Sequence, residues 1–142
     1  MRKIDKIVVH CTASSPTAKA RDIVAWQRRP REKGGRGWRR PGYHYMIEAD
    51  GRVVKTWPVD DVSNGVAGHN RGAVHVCYIG GVDTTRPSLP PMDTRTAAQR
   101  QSLITLLRDL RRRFPEAEIM GHRDLAPKAC PSFNARKEYS WI

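Results

Sequence analysis

Ile4-Asp5-Lys6-Ile7-Val8-Val9-His10-Cys11 carries three consecutive β-branched residues, and the run reads as a buried strand. The rest of the fold is read outward from it. Residues 18–28 show helical spacing, with Ile23 and Trp26 sharing a face with Ala20, until Pro30 and Gly34-Gly35 end the pattern. Residues 43–47 and 52–57 read as two strands joined by a two-residue hairpin turn at Asp50-Gly51. Residues 74–79 are a further strand, closed by Gly80-Gly81, and Pro87, Pro90 and Pro91 mark a surface loop. The strongest helix spans residues 96–114. Thr96 and Gln99 make a capping box there, and Leu103, Leu107, Leu110 and Phe114 fall on one stripe that Arg108, Arg111 and Arg112 avoid. Residues 118–120 form a short strand, and Asn134 caps a terminal helix. Interleaved strands and helices with one hairpin predict an α/β fold: a single domain over residues 1–142, with a mixed central β-sheet covered by helices.

The chain has 142 residues, the size of one ordinary domain. Its four Trp, four Tyr and two Phe, together with the aliphatic runs, supply a core and exclude a disordered chain. No apolar run reaches the roughly 18 residues of a membrane span. Cys11, Cys77 and Cys130 are an odd number without a Cys-x-x-Cys, so a disulfide framework is excluded. Phosphate-loop, Gly-x-Ser-x-Gly, His-Glu-x-x-His and zinc-deaminase signatures are absent, which removes the main support for those enzyme classes.

The remaining chemistry rests on histidine and cysteine. His10 and His122 each follow an apolar strand, where a side chain reaches an open rim while its backbone stays rigid. Cys130 sits eight positions after His122 in Ala126-Pro127-Lys128-Ala129-Cys130-Pro131, a loop stiffened by two prolines. Together the three offer zinc N/S ligands and leave a position for water, the catalytic pattern. Lys128 is close enough to Cys130 to aim an ammonium at an oxyanion, and the Tyr43 hydroxyl can serve a nearby water. Each residue also fits a plain structural part: a hydrogen-bonded rim histidine, a small buried thiol, a strand aromatic, a solvated lysine. Spacing alone does not choose between the two readings.

From about residue 7 to residue 133 the sequence resembles the zinc-dependent N-acetylmuramoyl-L-alanine amidases of the phage-lysozyme and peptidoglycan-recognition-protein type. The resemblance rests on Val9-His10-Cys11-Thr12-Ala13, Gly37-Trp38, Gly42-Tyr43-His44-Tyr45, Asp50-Gly51, Gly68-His69-Asn70, Val76-Cys77-Tyr78-Ile79-Gly80-Gly81, Gly121-His122-Arg123-Asp124 and Ala126-Pro127-Lys128-Ala129-Cys130-Pro131-Ser132-Phe133. It implies one zinc ion on His10, His122 and Cys130, with Tyr43 and Lys128 catalytic and His69 binding substrate. The implied reaction is hydrolysis of the amide between N-acetylmuramic acid and L-alanine in bacterial peptidoglycan, as a phage or prophage endolysin. Trp57 and His75 depart from the family, whose members often carry Arg and Gly there. Cys11 and Cys77 are expected to be structural.

Lys and Arg outnumber Asp and Glu 26 to 14, a net charge of +12 that predicts a polyanionic partner. The acidic wall fits it. Residues 28–40 hold seven basic residues around Trp38 and one acid, a surface that also suits a phage RNA polymerase or another polyanion. The N-terminus lacks the apolar segment of a signal peptide. The expectation is a monomer without membrane contact, made in the cytoplasm of the host cell and acting on the wall after release.

Overall fold

The computed structural model of the chain describes residues 2–142; Met1, which opens the basic N-terminal stretch, lies outside the described residues. Strand β1 (Lys6–Cys11) pairs in parallel with β4 (Ala73–Tyr78) on one side and with β5 (Glu118–Gly121) on the other. Beyond β4 lies β2 (Tyr45–Ile47), also parallel, and then β3 (Val53–Lys55), antiparallel to β2. The sheet order is β3-β2-β4-β1-β5, so the hairpin supplies the one antiparallel pair of the expected mixed sheet. β1 and β4 are central and buried almost throughout, as their unbroken apolar runs require.

Period-two alternation divides the sheet into two unlike faces. One presents Ile7, Val9, Val74, Val76 and Tyr78 to helix α2 (Ala97–Arg113), whose Leu103, Leu107 and Leu110 are fully buried and together with Phe114 close the main core. Each such leucine contributes about 1.5–3 kcal/mol. The Thr96–Gln99 capping box forms as the sequence predicts. Gln99 also reaches across, its amide Nε2 donating to Ile47 O at 3.1 Å and Ile79 O at 3.0 Å. The opposite face carries Val8 and Met120 in one small apolar cluster and Met46, Cys77 and Ile79 in another, with histidines between them.

Helix α1 (Ala20–Arg28) lies against that second cluster through Ala20, Ile23 and Val24, so the face its spacing suggests holds except at Trp26. Ala20 and Gln27 are its buried residues, Ile23 is half-buried, and Trp26 is 43% exposed. The cause is the segment after the helix, which folds back. Arg36 N–H donates to Trp26 O and Trp38 N–H to Gln27 O, while the Gln27 side chain accepts from Gly42 N–H at 3.0 Å. The hairpin turn is also one residue longer than Asp50-Gly51. Glu48 N–H donates to Arg52 O and Gly51 N–H to Glu48 O, with Gly51 at φ 89°, giving a three-residue loop over 49–51.

Helix α3 (Ala135–Glu138), capped by Asn134, is latched to the segment before α2 by Arg95. That guanidinium, 1% exposed, binds Asp93, Glu138 and the Tyr139 hydroxyl and lies 3.4 Å from the centre of the Phe133 ring. The latch fixes the end of the loop that carries Cys130.

Candidate metal centre and groove

Parallel pairing of β1 with β5 sets Val9 opposite Gly121, so His10 and His122 leave neighbouring strand ends together. Gly121 has a packing reason. A Cβ there would lie 2.8 Å from Pro131 Cδ, so its absence lets Pro131 rest on the strand end and brings Cys130 beside both histidines. Three further hydrogen bonds hold that loop: Arg123 N–H to Cys130 O at 2.8 Å, the Tyr78 hydroxyl to Pro131 O at 2.7 Å, and Cys11 N–H to Cys130 Sγ at 3.1 Å.

The result is a group of donor atoms from His10, His122 and Cys130, all within 4.8 Å of one another. His10 Nδ1 lies 3.8 Å from Cys130 Sγ. Zinc bonds of about 2.0 Å to nitrogen and about 2.3 Å to sulfur, at a tetrahedral angle, separate the two donors by about 3.5 Å. The residues therefore fit zinc closely. Protonation fits as well. Burial, then the neighbouring His75 and His122, holds the His10 pKa well below the usual imidazole value, and burial followed by Lys128 lowers that of His122. Neutral imidazole is the ligand form. The Cys11 side chain and burial push the Cys130 thiol up, so a cation is needed to draw out its thiolate.

His122 and Cys130 open onto a groove of about 660 Å³, lined also by Tyr43, Lys128, Trp26, Arg36 and Trp38, with His10 buried behind them. The Tyr43 ring centroid lies 5.0 Å from that of His10, and burial, reinforced by the nearby thiols, keeps its hydroxyl protonated well above the usual phenol range. Tyr43 precedes β2 and does not open it. Lys128 is exposed at the groove. The Arg36 guanidinium sits 4.9 Å from the Trp38 ring centroid and 5.8 Å from that of Trp26, so one member of the basic segment forms part of the groove wall. The other basic residues of 28–40 are exposed.

Five of the six residues singled out from sequence thus meet at one place. His69 does not. It is exposed and lines a separate depression with Arg2, Lys3 and Arg71, while its neighbour Asn70 faces the groove. Sequence reasoning gave Asn70 no role, and it left His75 as a mere departure from the family. His75 is wholly buried, with Nδ1 2.8 Å from His10 Nε2 and Nε2 2.8 Å from Asn70 Oδ1. Cys77 is buried in an apolar cluster that Tyr43 packs against, directly across the ladder from His10, and Cys11 packs in the core on the α2 face beside Cys130; neither thiol belongs to the donor group. Trp57 lies outside the groove lining; its indole N–H donates to Val62 O and Arg28 lies over its ring.

Comparison with known proteins agrees with this geometry. The family described as N-acetylmuramoyl-L-alanine amidase matches residues 1–133. An endolysin of Klebsiella phage KP32 is 36% identical over 138 residues, covering 96% of this chain and 85% of its own length. Among solved structures, the endolysin of Thermus scotoductus bacteriophage Ph2119 superposes with a TM-score of 0.74 at 29% identity, covering 92% of this chain and 79% of that one. Drosophila PGRP-LB shares the fold, with a TM-score of 0.75 at 16% identity over 99% of this chain and 81% of its own.

Proposed function

The chain belongs to the N-acetylmuramoyl-L-alanine amidase family, and from that premise we propose that it is a zinc-dependent endolysin. Its reaction is hydrolysis of the amide joining N-acetylmuramic acid to L-alanine in bacterial peptidoglycan. One observation carries the zinc and the site: the His10, His122 and Cys130 donors converge within 4.8 Å, and His122 and Cys130 line a groove together with Tyr43 and Lys128.

His10, His122 and Cys130 would hold the ion, which when bound supplies Lewis acidity and lowers the pKa of water in its fourth position. The groove aligns the glycopeptide so that its scissile carbonyl lies over the donor triangle. Lys128 Nζ, on the loop two residues before Cys130, places positive charge where the carbonyl oxygen becomes an oxyanion. Such a donor acts on charge that develops only in the transition state, so it raises turnover more than binding. Tyr43 stays a phenol, so its Oη donates a hydrogen bond, and packing against His10 fixes the ring that carries it. The high positive charge concentrates the protein on an acidic wall without entering the bond-breaking step. Among the described residues no helix is long and apolar enough to cross a membrane. On this reading the chain is made in the host cytoplasm and meets the wall after release.

The test is digestion of purified peptidoglycan with and without a zinc chelator, followed by mass analysis. Stem peptides with a free L-alanine amine and intact glycan strands are expected, lost with chelator and restored by zinc. Metal-free protein that still releases those peptides, or cuts within the glycan, would refute the proposal.

A further inference from the structure

β4 buries His75 completely, and a buried imidazole is costly unless both nitrogens find partners. Both do, and the direction of the protons can be read from the far end of the chain of contacts. Val66 N–H, which can only donate, lies 2.7 Å from Asn70 Oδ1. That atom is therefore the amide oxygen, and it accepts from His75 Nε2 at 2.8 Å as well. His75 thus carries its proton on Nε2. The ring's hydrogen-bond partners are His10 and Asn70, with no carboxylate among them, so it is neutral and its Nδ1 is a lone pair. His10 Nε2, 2.8 Å away, must donate to that lone pair. His10 is then left with its own lone pair on Nδ1, the atom that faces Cys130 Sγ.

We propose that Asn70 and His75 are positioning residues that commit His10 to the Nε2–H tautomer and present its Nδ1 to the metal. Gly65 belongs to the same device. A Cβ at position 65 would fall 2.2 Å from His75 Nδ1, so the imidazole occupies space that only a glycine leaves free. Gly65, Val66 and Asn70 also line the groove. One chain of hydrogen bonds therefore holds both the groove wall and the metal ligand, and a displaced wall loosens the ligand. Orienting a ligand histidine through its other nitrogen is what sets metal affinity at such centres.

The inference rests on His10 being a ligand, and its test separates the two. Ring 15N spectra of the wild-type chain, metal-free and zinc-loaded, should show His10 protonated at Nε2 and not at Nδ1. Zinc affinity, measured by competition with a chelator, should fall about 10- to 100-fold in His75→Phe, which keeps the ring but removes the acceptor. His75→Asn, whose Oδ1 stands where Nδ1 stood, should stay within a few-fold of wild type. A His10 proton found on Nδ1, or unchanged zinc affinity in a folded His75→Phe, would overturn the relay. A wild-type chain that takes up no zinc would refute the metal reading instead, and the tautomer would still be read from the metal-free spectrum.

Discussion

Replacing Arg95 by Met is expected to destabilise the protein by about 3 kcal/mol, and to do so in a pH-dependent way. The guanidinium makes five side-chain hydrogen bonds of 2.6–3.0 Å: two to Asp93, two to Glu138 and one to the Tyr139 hydroxyl. Removing one partner of a buried ion pair costs about 3–5 kcal/mol, because the other charge is left uncompensated. Here the Asp93 and Glu138 side chains are 24% and 41% exposed, so water recovers part of the loss and the lower end applies. Met retains most of the apolar contact with Phe133. For a chain of this length the loss corresponds to a fall of roughly 10 °C in Tm.

The pH dependence follows from the carboxylates. Burial works to raise the Asp93 carboxyl, yet the Arg95 hydrogen bonds hold it below its ordinary 3.8, and the Arg95 bond holds Glu138 below 4.5. Folded pKa values below the unfolded ones stabilise fully above the unfolded values, and that contribution disappears as pH falls through the folded ones. Urea unfolding of wild type and Arg95→Met should therefore differ most near pH 7 and converge below about pH 4. A difference under about 1 kcal/mol at pH 7, or one that stays constant down to pH 3, would show that the latch is not an ionic one.

Lys128→Ala and Tyr43→Phe should keep fold and zinc while turnover drops, for Lys128→Ala by on the order of 100- to 1000-fold; a full rate would remove the oxyanion role. Cys130→Ser should lose metal and activity together, whereas Cys11→Ala and Cys77→Ala should retain about one zinc per chain by metal analysis, and zinc loss in either would reassign the thiolate. Lysis of cell walls should weaken steeply as salt rises, because exposed charges are screened beyond roughly 8 Å, while hydrolysis of a small muramyl peptide changes little. Replacing Arg28, Arg29, Arg31, Arg39 and Arg40 by Ser, with the groove residue Arg36 kept, should reproduce the high-salt behaviour on walls alone; an equal loss on both substrates would place the segment in the catalytic groove.

What could be read from sequence was what short-range chemistry determines. Thr96 and Gln99 are three residues apart and the Leu103–Leu107–Leu110–Phe114 stripe is periodic, so α2 was legible to within a residue at each end. The apolar strand β1 and the position of His10 were equally local. The C-terminal end of α1 was not: Gln27 is held inward by Gly42, fifteen residues away, and Trp26 stays partly exposed beside a returning loop that no periodicity describes. The loop over 49–51 hid an extra residue, because the Glu48–Arg52 closure decides it and not the Asp-Gly pair. His75 stood out in the sequence only as a departure from the family. Its partner His10 lies 65 residues away, and only the parallel register of β1 with β4 brings the two together.

That register explains why chemistry sits on one face of the sheet and stability on the other. On the α2 face the facing groups are apolar and adjust to one another by volume, a requirement many side chains satisfy. On the opposite face His10, His44 and His75 are each no more than 1% exposed, and their ring nitrogens all have polar partners. His44 Nδ1 accepts from His75 N–H at 3.0 Å, and its Nε2 lies 2.8 Å from Asp61 O and 3.1 Å from the Arg2 guanidinium. Among the described residues no buried side-chain nitrogen or oxygen lacks a partner. A polar layer satisfied to that degree is stiff, since moving one ring orphans a neighbour at about 1–3 kcal/mol. Substitutions within it should therefore be non-additive: once His75→Phe has broken the chain of donors, Asn70→Ala should weaken zinc binding little further. On the proposed relay the groove wall and the candidate metal donors respond as one unit, because one chain of hydrogen bonds runs from Val66 through Asn70 and His75 to His10.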